Sequence, residues 1–131
     1  MKILIVDDDP ATLLVASTAL QYAGGFEVLL ATSGADAIRC AKENRPDAIL
    51  MDIVMHDLDG LSVFRKLRDQ AETIDIPVIF HTARSSPNEI RNLLSSGARG
   101  VIRKPSDPLE LGREIQRILA LGNELPPGDS P

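Results

Sequence analysis

Cysteine is nearly absent from this chain, Cys40 being the single example, which rules out an internal disulfide framework and any zinc site built from several thiolates. A lone thiol fits a reducing compartment, and a buried structural role is expected for it. Long apolar runs are missing as well. After Met1 and Lys2 the chain enters Ile3-Leu4-Ile5-Val6, too short for the apolar core of a signal peptide, and no run approaches the roughly 18 residues that a membrane-spanning helix needs. A soluble, cytoplasmic protein is expected. Basic charge is also in deficit: 14 Lys and Arg stand against 19 Asp and Glu, a net charge of −5, so no global positive field exists to hold a polyanion, and direct nucleic-acid binding by this chain is not expected. At 131 residues the chain has the length of one domain, able to bury about two-thirds of its unfolded surface in a single core.

What is present is a regular alternation. Five short apolar runs, Ile3 to Val6, Phe26 to Leu30, Ala48 to Met51, Val78 to Phe80 and Val101 to Ile102, recur at intervals of 22 to 30 residues. Each predicts a strand. Because the runs are nearly continuous and not alternating, they read as strands covered on both faces, the pattern of a parallel sheet between helical layers. The segments between them have helical signals. Residues 110 to 121 set Leu111, Ile115, Ile118 and Leu119 opposite Arg113, Glu114, Gln116 and Arg117. Asp9-Pro10 supplies an N-cap and a proline at the first helical position, and Ser86-Pro87-Asn88-Glu89 reads as a capping box. Gly24-Gly25, Gly97 and Gly122 mark helix stops. The expected architecture is α/β: five βα units forming a doubly wound parallel sheet over residues 1–121, with the Gly- and Pro-rich residues 122–131 a mobile tail or the start of a linker.

In an open sheet of this kind, ligands bind beyond the carboxyl ends of the strands, so the residues that follow each apolar run matter most. The first run ends in Asp7-Asp8-Asp9 and the third in Asp52. The fourth leads through His81 to Thr82-Ala83, and the fifth through Arg103 to Lys104-Pro105. The second ends without a reactive group, in Ala31-Thr32. Strand order 2-1-3-4-5 would bring the reactive ends together and leave the second strand at an edge. Two carboxylates about 4 Å apart repel by roughly 4 kcal/mol at an effective dielectric near 20, so Asp7, Asp8 and Asp52 require a positive partner. A hard divalent ion, Mg²⁺, suits such oxygen donors together with a phosphoryl oxygen. Lys104 adds a point charge suited to a phosphoryl group, Thr82 offers a hydroxyl, and Asp52, alone at its strand end, is placed to attack phosphorus in line. Asp9 is read as a structural cap. His56 and His81 share no metal-ligand spacing, and His81 is expected to pack beside the cleft.

Val6-Asp7-Asp8, Met51-Asp52-Ile53-Val54-Met55 with Asp59-Gly60, Thr82-Ala83, Gly97-Ala98 and Lys104-Pro105 together resemble the receiver domain of two-component response regulators, over residues 1 to about 121. The resemblance implies a flavodoxin-like fold and a phosphoprotein that is not an enzyme beyond self-catalysed phosphoryl acceptance and autodephosphorylation. Asp52 would accept phosphate from a sensor histidine kinase or a histidine phosphotransfer protein. Asp8 would bind Mg²⁺ directly, with Asp7 assisting, Asp52 and the Val54 carbonyl as further ligands, and Mn²⁺ as a substitute. Thr82, Ala83 and Lys104 would bind and sense the phosphoryl group, and Lys104-Pro105 would be a cis peptide. Val54 and Arg84, two residues beyond Asp52 and Thr82, would flank the path of hydrolytic water and tune phosphate lifetime.

Three positions depart from the family pattern. His56 stands where a proline is usual, Val101 where an aromatic residue usually relays the threonine's movement, and Ser106 where phenylalanine often follows Lys-Pro. Rival readings are a haloacid-dehalogenase-like phosphatase using Asp7-Asp8-Asp9 and a receiver-like interaction module that is never phosphorylated. A dinucleotide-binding domain lacks its Gly-rich fingerprint after the first strand. Output, cognate kinase and the presence of an effector domain are left open.

Overall fold

The structure, a computed structural model, describes residues 1–84 and 86–121. The expected tail at 122–131, with the stop at Gly122, lies outside the described residues. Strands and helices alternate: β1 (Lys2–Val6), α1 (Pro10–Ala23), β2 (Glu27–Ala31), α2 (Gly34–Asn44), β3 (Ala48–Met51), α3 (Gly60–Arg68), β4 (Val78–Thr82), α4 (Pro87–Ser95), β5 (Gly100–Arg103) and α5 (Pro108–Leu121). All strand pairings are parallel and the order is β2-β1-β3-β4-β5.

Successive strand residues point to opposite faces, so the sheet builds two cores. Leu4, Val6, Ile49, Met51, Val78 and Phe80 meet Ala37, Val63, Phe64 and Leu67 on the α2–α3 side. Ile3, Ile5, Leu50, Ile79 and Ile102 meet Leu13, Leu20, Leu111, Ile115 and Ile118 on the α1–α5 side. β1, β3 and β4 are buried almost throughout, as continuous apolar runs require. β2 is the exception: Glu27 is exposed and Leu30 is 48 % exposed, because an edge strand of a twisted sheet is not fully covered by helices. Phe26 lies outside β2 and packs into the α1–α5 core.

The helix ends follow local chemistry. Asp9 caps α1 at the Ala11 N–H, and Ser86 and Glu89 form the reciprocal capping box of α4. Ser33 and Asp59 cap α2 and α3 by accepting the Asp36 and Ser62 N–H groups. Of the Gly24-Gly25 pair, Gly25 takes the left-handed conformation (φ 66°), while Gly24 stays right-handed as the C-cap of α1. α2 ends on Arg45 at φ 43°, with no glycine. Between α3 and β4 the chain is tied by the Arg68 guanidinium, which donates to the carbonyls of Ile74 (2.6 Å) and Ile76 (3.0 Å) and lies over the Phe64 ring. Among the described residues, no helix is long and apolar enough to cross a membrane.

Candidate functional site

The site residues hang on the last rungs of the sheet. The Asp7 N–H bonds to the Ala31 carbonyl, the Asp52 N–H to the Val6 carbonyl (2.9 Å) and the Lys104 N–H to the Thr82 carbonyl (2.9 Å). Ladder hydrogen bonds therefore extend one residue beyond β1, β3 and β5, and they hold the backbones of Asp7, Asp52 and Lys104 in line with the strands. One carboxylate oxygen each from Asp7, Asp8 and Asp52 lies within 4.8 Å of the others. Asp7 is 2 % exposed and Asp52 9 %, so two of these charges sit largely out of water.

Lys104 is the counter-charge. Its Nζ donates to Asp7 Oδ2 at 2.7 Å and stands 3.4 Å from Asp52 Oδ2. Burial opposes its charge, but the bond to Asp7 and the attraction of Asp52 outweigh burial and raise its pKa. The Asp52 carboxyl is shifted upward, by burial first and by Asp7 second, with Lys104 and the Ile53 and Val54 amides opposing the shift. Asp52 Oδ1 accepts the Ile53 N–H at 2.8 Å and, more loosely, the Val54 N–H at 3.4 Å. That leaves Oδ2 turned toward Lys104 and the cleft.

Three carboxylates against one ammonium leave about two negative charges unmatched, carried entirely by hard oxygen donors. This donor set fits Mg²⁺: Asp7, Asp8 and Asp52 are the residues that could hold the ion. Val54 lies in the β3–α3 loop with its side chain 53 % exposed.

Thr82 is fully buried, and its Oγ1 accepts the Arg84 N–H at 2.9 Å; Ala83 and Arg84 are exposed beside it. The Lys104–Pro105 peptide is cis. Val101 pairs with Phe80 across the sheet and is partly buried against the α2–α3 core. His81 faces the opposite side, 6 % exposed, with Nε2 2.9 Å from Ser106 Oγ. Burial, with Lys104 nearby, lowers the His81 pKa to about 4, so the ring is neutral at neutral pH.

Several contacts have no counterpart in the sequence reading. His56 reaches Asp8: its backbone N–H donates to Asp8 Oδ2 at 3.0 Å and its Nδ1 lies 2.7 Å from the same oxygen. Asp57 accepts the N–H groups of Gly34 and Ala35, capping α2 from the loop that follows Asp52. Those bonds hold its carboxyl below the ordinary value. Gly60 approaches Asp52 so closely that a Cβ there would lie 2.2 Å from the Asp52 carbonyl oxygen. The only signals in the sequence were the acid and the glycine themselves.

Residues 3–116 match the family described as the response regulator receiver domain. The chain belongs to that family. PilH of Pseudomonas aeruginosa is 40 % identical to this receiver domain over 119 residues, which are 91 % of this chain and 98 % of PilH. The transcriptional regulatory protein PrrA of Mycobacterium tuberculosis is 42 % identical over 118 residues, 90 % of this chain but 49 % of PrrA, so the chain spans about half the length of that relative. Among solved structures, the chemotaxis response regulator CheY4 of Vibrio cholerae aligns with a TM-score of 0.82 at 31 % identity, covering 89 % of this chain and 97 % of that one. The receiver domain of a Pseudomonas aeruginosa sensor histidine kinase, solved with magnesium coordinated in its active-site cleft, aligns with a TM-score of 0.80 at 35 % identity, covering 91 % and 97 %. The five-stranded sheet in order 2-1-3-4-5 is thus the flavodoxin-like fold of receiver domains. These matches give no support to the phosphatase or the unphosphorylated-module reading.

Proposed function

We propose that this receiver domain accepts a phosphoryl group on Asp52, with Mg²⁺ held by Asp7, Asp8, Asp52 and the Val54 carbonyl, and that it then changes its protein contacts. The observation that carries this reading is the convergence of three carboxylates and Lys104 at the strand ends. A group that must gather negative charge and then receive more of it needs the counter-charge of Lys104 and of a divalent ion, held on a rigid frame.

In the proposed reaction an Asp52 oxygen turned to the cleft attacks phosphorus in line. The new O–P bond forms as the donor's P–N bond breaks, and the departing imidazole keeps the electron pair. A divalent ion held by Asp7, Asp8 and Asp52 would supply charge neutralisation to the phosphoryl oxygens. Lys104 leaves its bond to Asp7 to pair with one phosphoryl oxygen, and the Thr82 hydroxyl donates to another, with the Ala83 amide beside it. Hydrolysis ends the modified state: water attacks phosphorus past Val54 and Arg84, both exposed, as the Asp52 O–P bond breaks, releasing inorganic phosphate and the free carboxylate. Mn²⁺, also satisfied by oxygen donors, would replace Mg²⁺.

The donor is a histidine kinase or histidine phosphotransfer protein in the cytoplasm. It has to cover the rim of the cleft, and α1, which starts on that rim, contains no charged residue and exposes Leu14 and Val15. Beside it a cavity of about 480 Å³, lined by Val15, Pro105, Ser106 and Leu111 among others, can seat a partner's apolar side chains. Residues 1–121 form the receiver unit and 122–131 the tail or linker start.

Acetyl phosphate with Mg²⁺ tests the chemistry. Intact-mass measurement should show one added phosphoryl group on the wild type and none on Asp52→Asn, without steady turnover of p-nitrophenyl phosphate. Labelling that survives in Asp52→Asn would refute the assignment.

A further inference from the structure

We propose that His56 is a positioning residue for the divalent-ion site, holding Asp8 by one carboxylate oxygen so that the other is presented to the ion. This rests on the reading of the cleft as a Mg²⁺ site, and goes beyond it to a residue outside the acid cluster.

Two nitrogens of His56 converge on one atom. The backbone N–H lies 3.0 Å and the ring Nδ1 2.7 Å from Asp8 Oδ2. Among the described residues Asp8 Oδ1 accepts no hydrogen bond, which leaves it free for a cation. Packing does not explain the ring's position, because the His56 side chain is 95 % exposed while that of Asp8 is 19 % exposed.

The residues on either side fix where His56 stands. Met55 is buried in the α2–α3 core, and Asp57 is clamped to the Gly34 and Ala35 amides at the start of α2. His56 is therefore delivered to Asp8 by a loop anchored at both flanks. A proline here could make neither contact, since it lacks both an N–H and a ring nitrogen able to reach Asp8.

The physical effect is preorganisation. Binding an ion freezes the Asp8 rotamer, and a carboxylate already held by the His56 amide, with the ring Nδ1 against the same oxygen, loses less freedom when the ion arrives. Partners of metal-binding side chains commonly change affinity by 10- to 100-fold when removed. At an exposed site, where water replaces the lost donor, the expected effect is about three- to tenfold.

Calorimetric titration of the unphosphorylated protein with MgCl₂ at pH 8 tests this without any phosphoryl transfer. His56→Ala should raise the Mg²⁺ dissociation constant about three- to tenfold, and His56→Pro, which also loses the N–H, should raise it further. His56→Asn should bind close to wild type, because an asparagine amide nitrogen sits where the ring carries Nδ1. Melting temperatures in EDTA should be the same for wild type, Ala and Asn, which separates positioning of Asp8 from a general role in stability. Equal or tighter binding by His56→Ala, or an Asn variant no better than Ala, overturns the proposal while the Mg²⁺ site stands. Absence of Mg²⁺ binding by the wild type overturns both.

Discussion

Asp52→Asn should make the metal-free protein more stable, and the geometry gives the size of the effect. Asp52 has carboxylate oxygens of Asp7 and Asp8 within 4.8 Å, so at an effective dielectric near 20 each pair repels by about 3.5 kcal/mol, about 7 kcal/mol for both. Lys104, 3.4 Å away, returns about 5 kcal/mol on the same scale. The balance is about 2 kcal/mol against the ionised carboxylate, and solvent reaching half-buried Asp8 reduces it to about 1 kcal/mol. Asparagine keeps an acceptor for the Ile53 N–H and removes the charge. For a domain of this length, about 1 kcal/mol corresponds to a rise of about 4 °C in melting temperature. Because the folded-state pKa of Asp52 is raised, the folded protein binds more protons than the unfolded chain between the ordinary value of 3.8 and the shifted one, and wild-type stability falls as pH climbs through that window. The asparagine variant should lack that decline. Calorimetric melts in EDTA and in saturating Mg²⁺ read out all of this. Mg²⁺ at 100 times its dissociation constant should stabilise the wild type by about 2.7 kcal/mol, and Asp52→Asn by distinctly less. An asparagine variant that melts below wild type in EDTA would refute the electrostatic account of the cleft.

Gly60→Ala should unfold the region around Asp52 or cost several kcal/mol, since the new Cβ would lie 2.2 Å from the Asp52 carbonyl oxygen; chemical denaturation gives the loss, and phosphoryl acceptance should fall with it. The His81 ring should stay neutral from pH 8 down to pH 5.5 by NMR. With its folded pKa near 4 and an ordinary value of 6.5, its contribution to stability is present above about pH 6.5 and is lost as pH falls toward 4, so His81→Gln should flatten the acid limb of the stability curve. On treatment with beryllofluoride and Mg²⁺, amide shifts around Val101 should be small, because Val101 has no ring to swing, and the larger shifts should fall at Lys104 and Ser106; large shifts centred on Val101 would contradict this.

Strand positions and their order were legible because two local rules act together: buried parallel strands are continuously apolar, and reactive residues gather where such strands end. Asp7, Asp8, Asp52, Thr82 and Lys104 could be named on that basis. Caps were legible where the cap and its helix are neighbours in sequence, as at Asp9 and at Ser86 with Glu89. The contacts that complete the site were not legible, because they join residues brought together by loop conformation. His56 meets Asp8 across 48 positions, and Asp57 meets Gly34 across 23. Nothing in the spacing of a histidine or a turn aspartate encodes those encounters. The exposed face of β2 was missed for a related reason: its sequence is apolar, but coverage by helices is a property of its place at the edge.

The two faces of the sheet bear on how phosphorylation could be read out. Thr82 follows His81 in β4, so their side chains leave the sheet on opposite sides. On the α2–α3 side, Val101 lies beside Phe80; a β-branched side chain is stiff at χ1 and carries too little bulk for its rotation to remake a surface. On the α1–α5 side, the neutral His81 ring is tied to Ser106, and Ser106 belongs to the loop that carries Lys104 into α5. A pull on Thr82 and Lys104 therefore meets a small apolar contact on one face and a directional hydrogen bond on the other. Hydrogen bonds fail over a few tenths of an ångström, whereas a valine contact tolerates such shifts. The side of this receiver domain better equipped to register movement in the cleft is thus the α1–α5 side, the same side on which α1 exposes its uncharged surface.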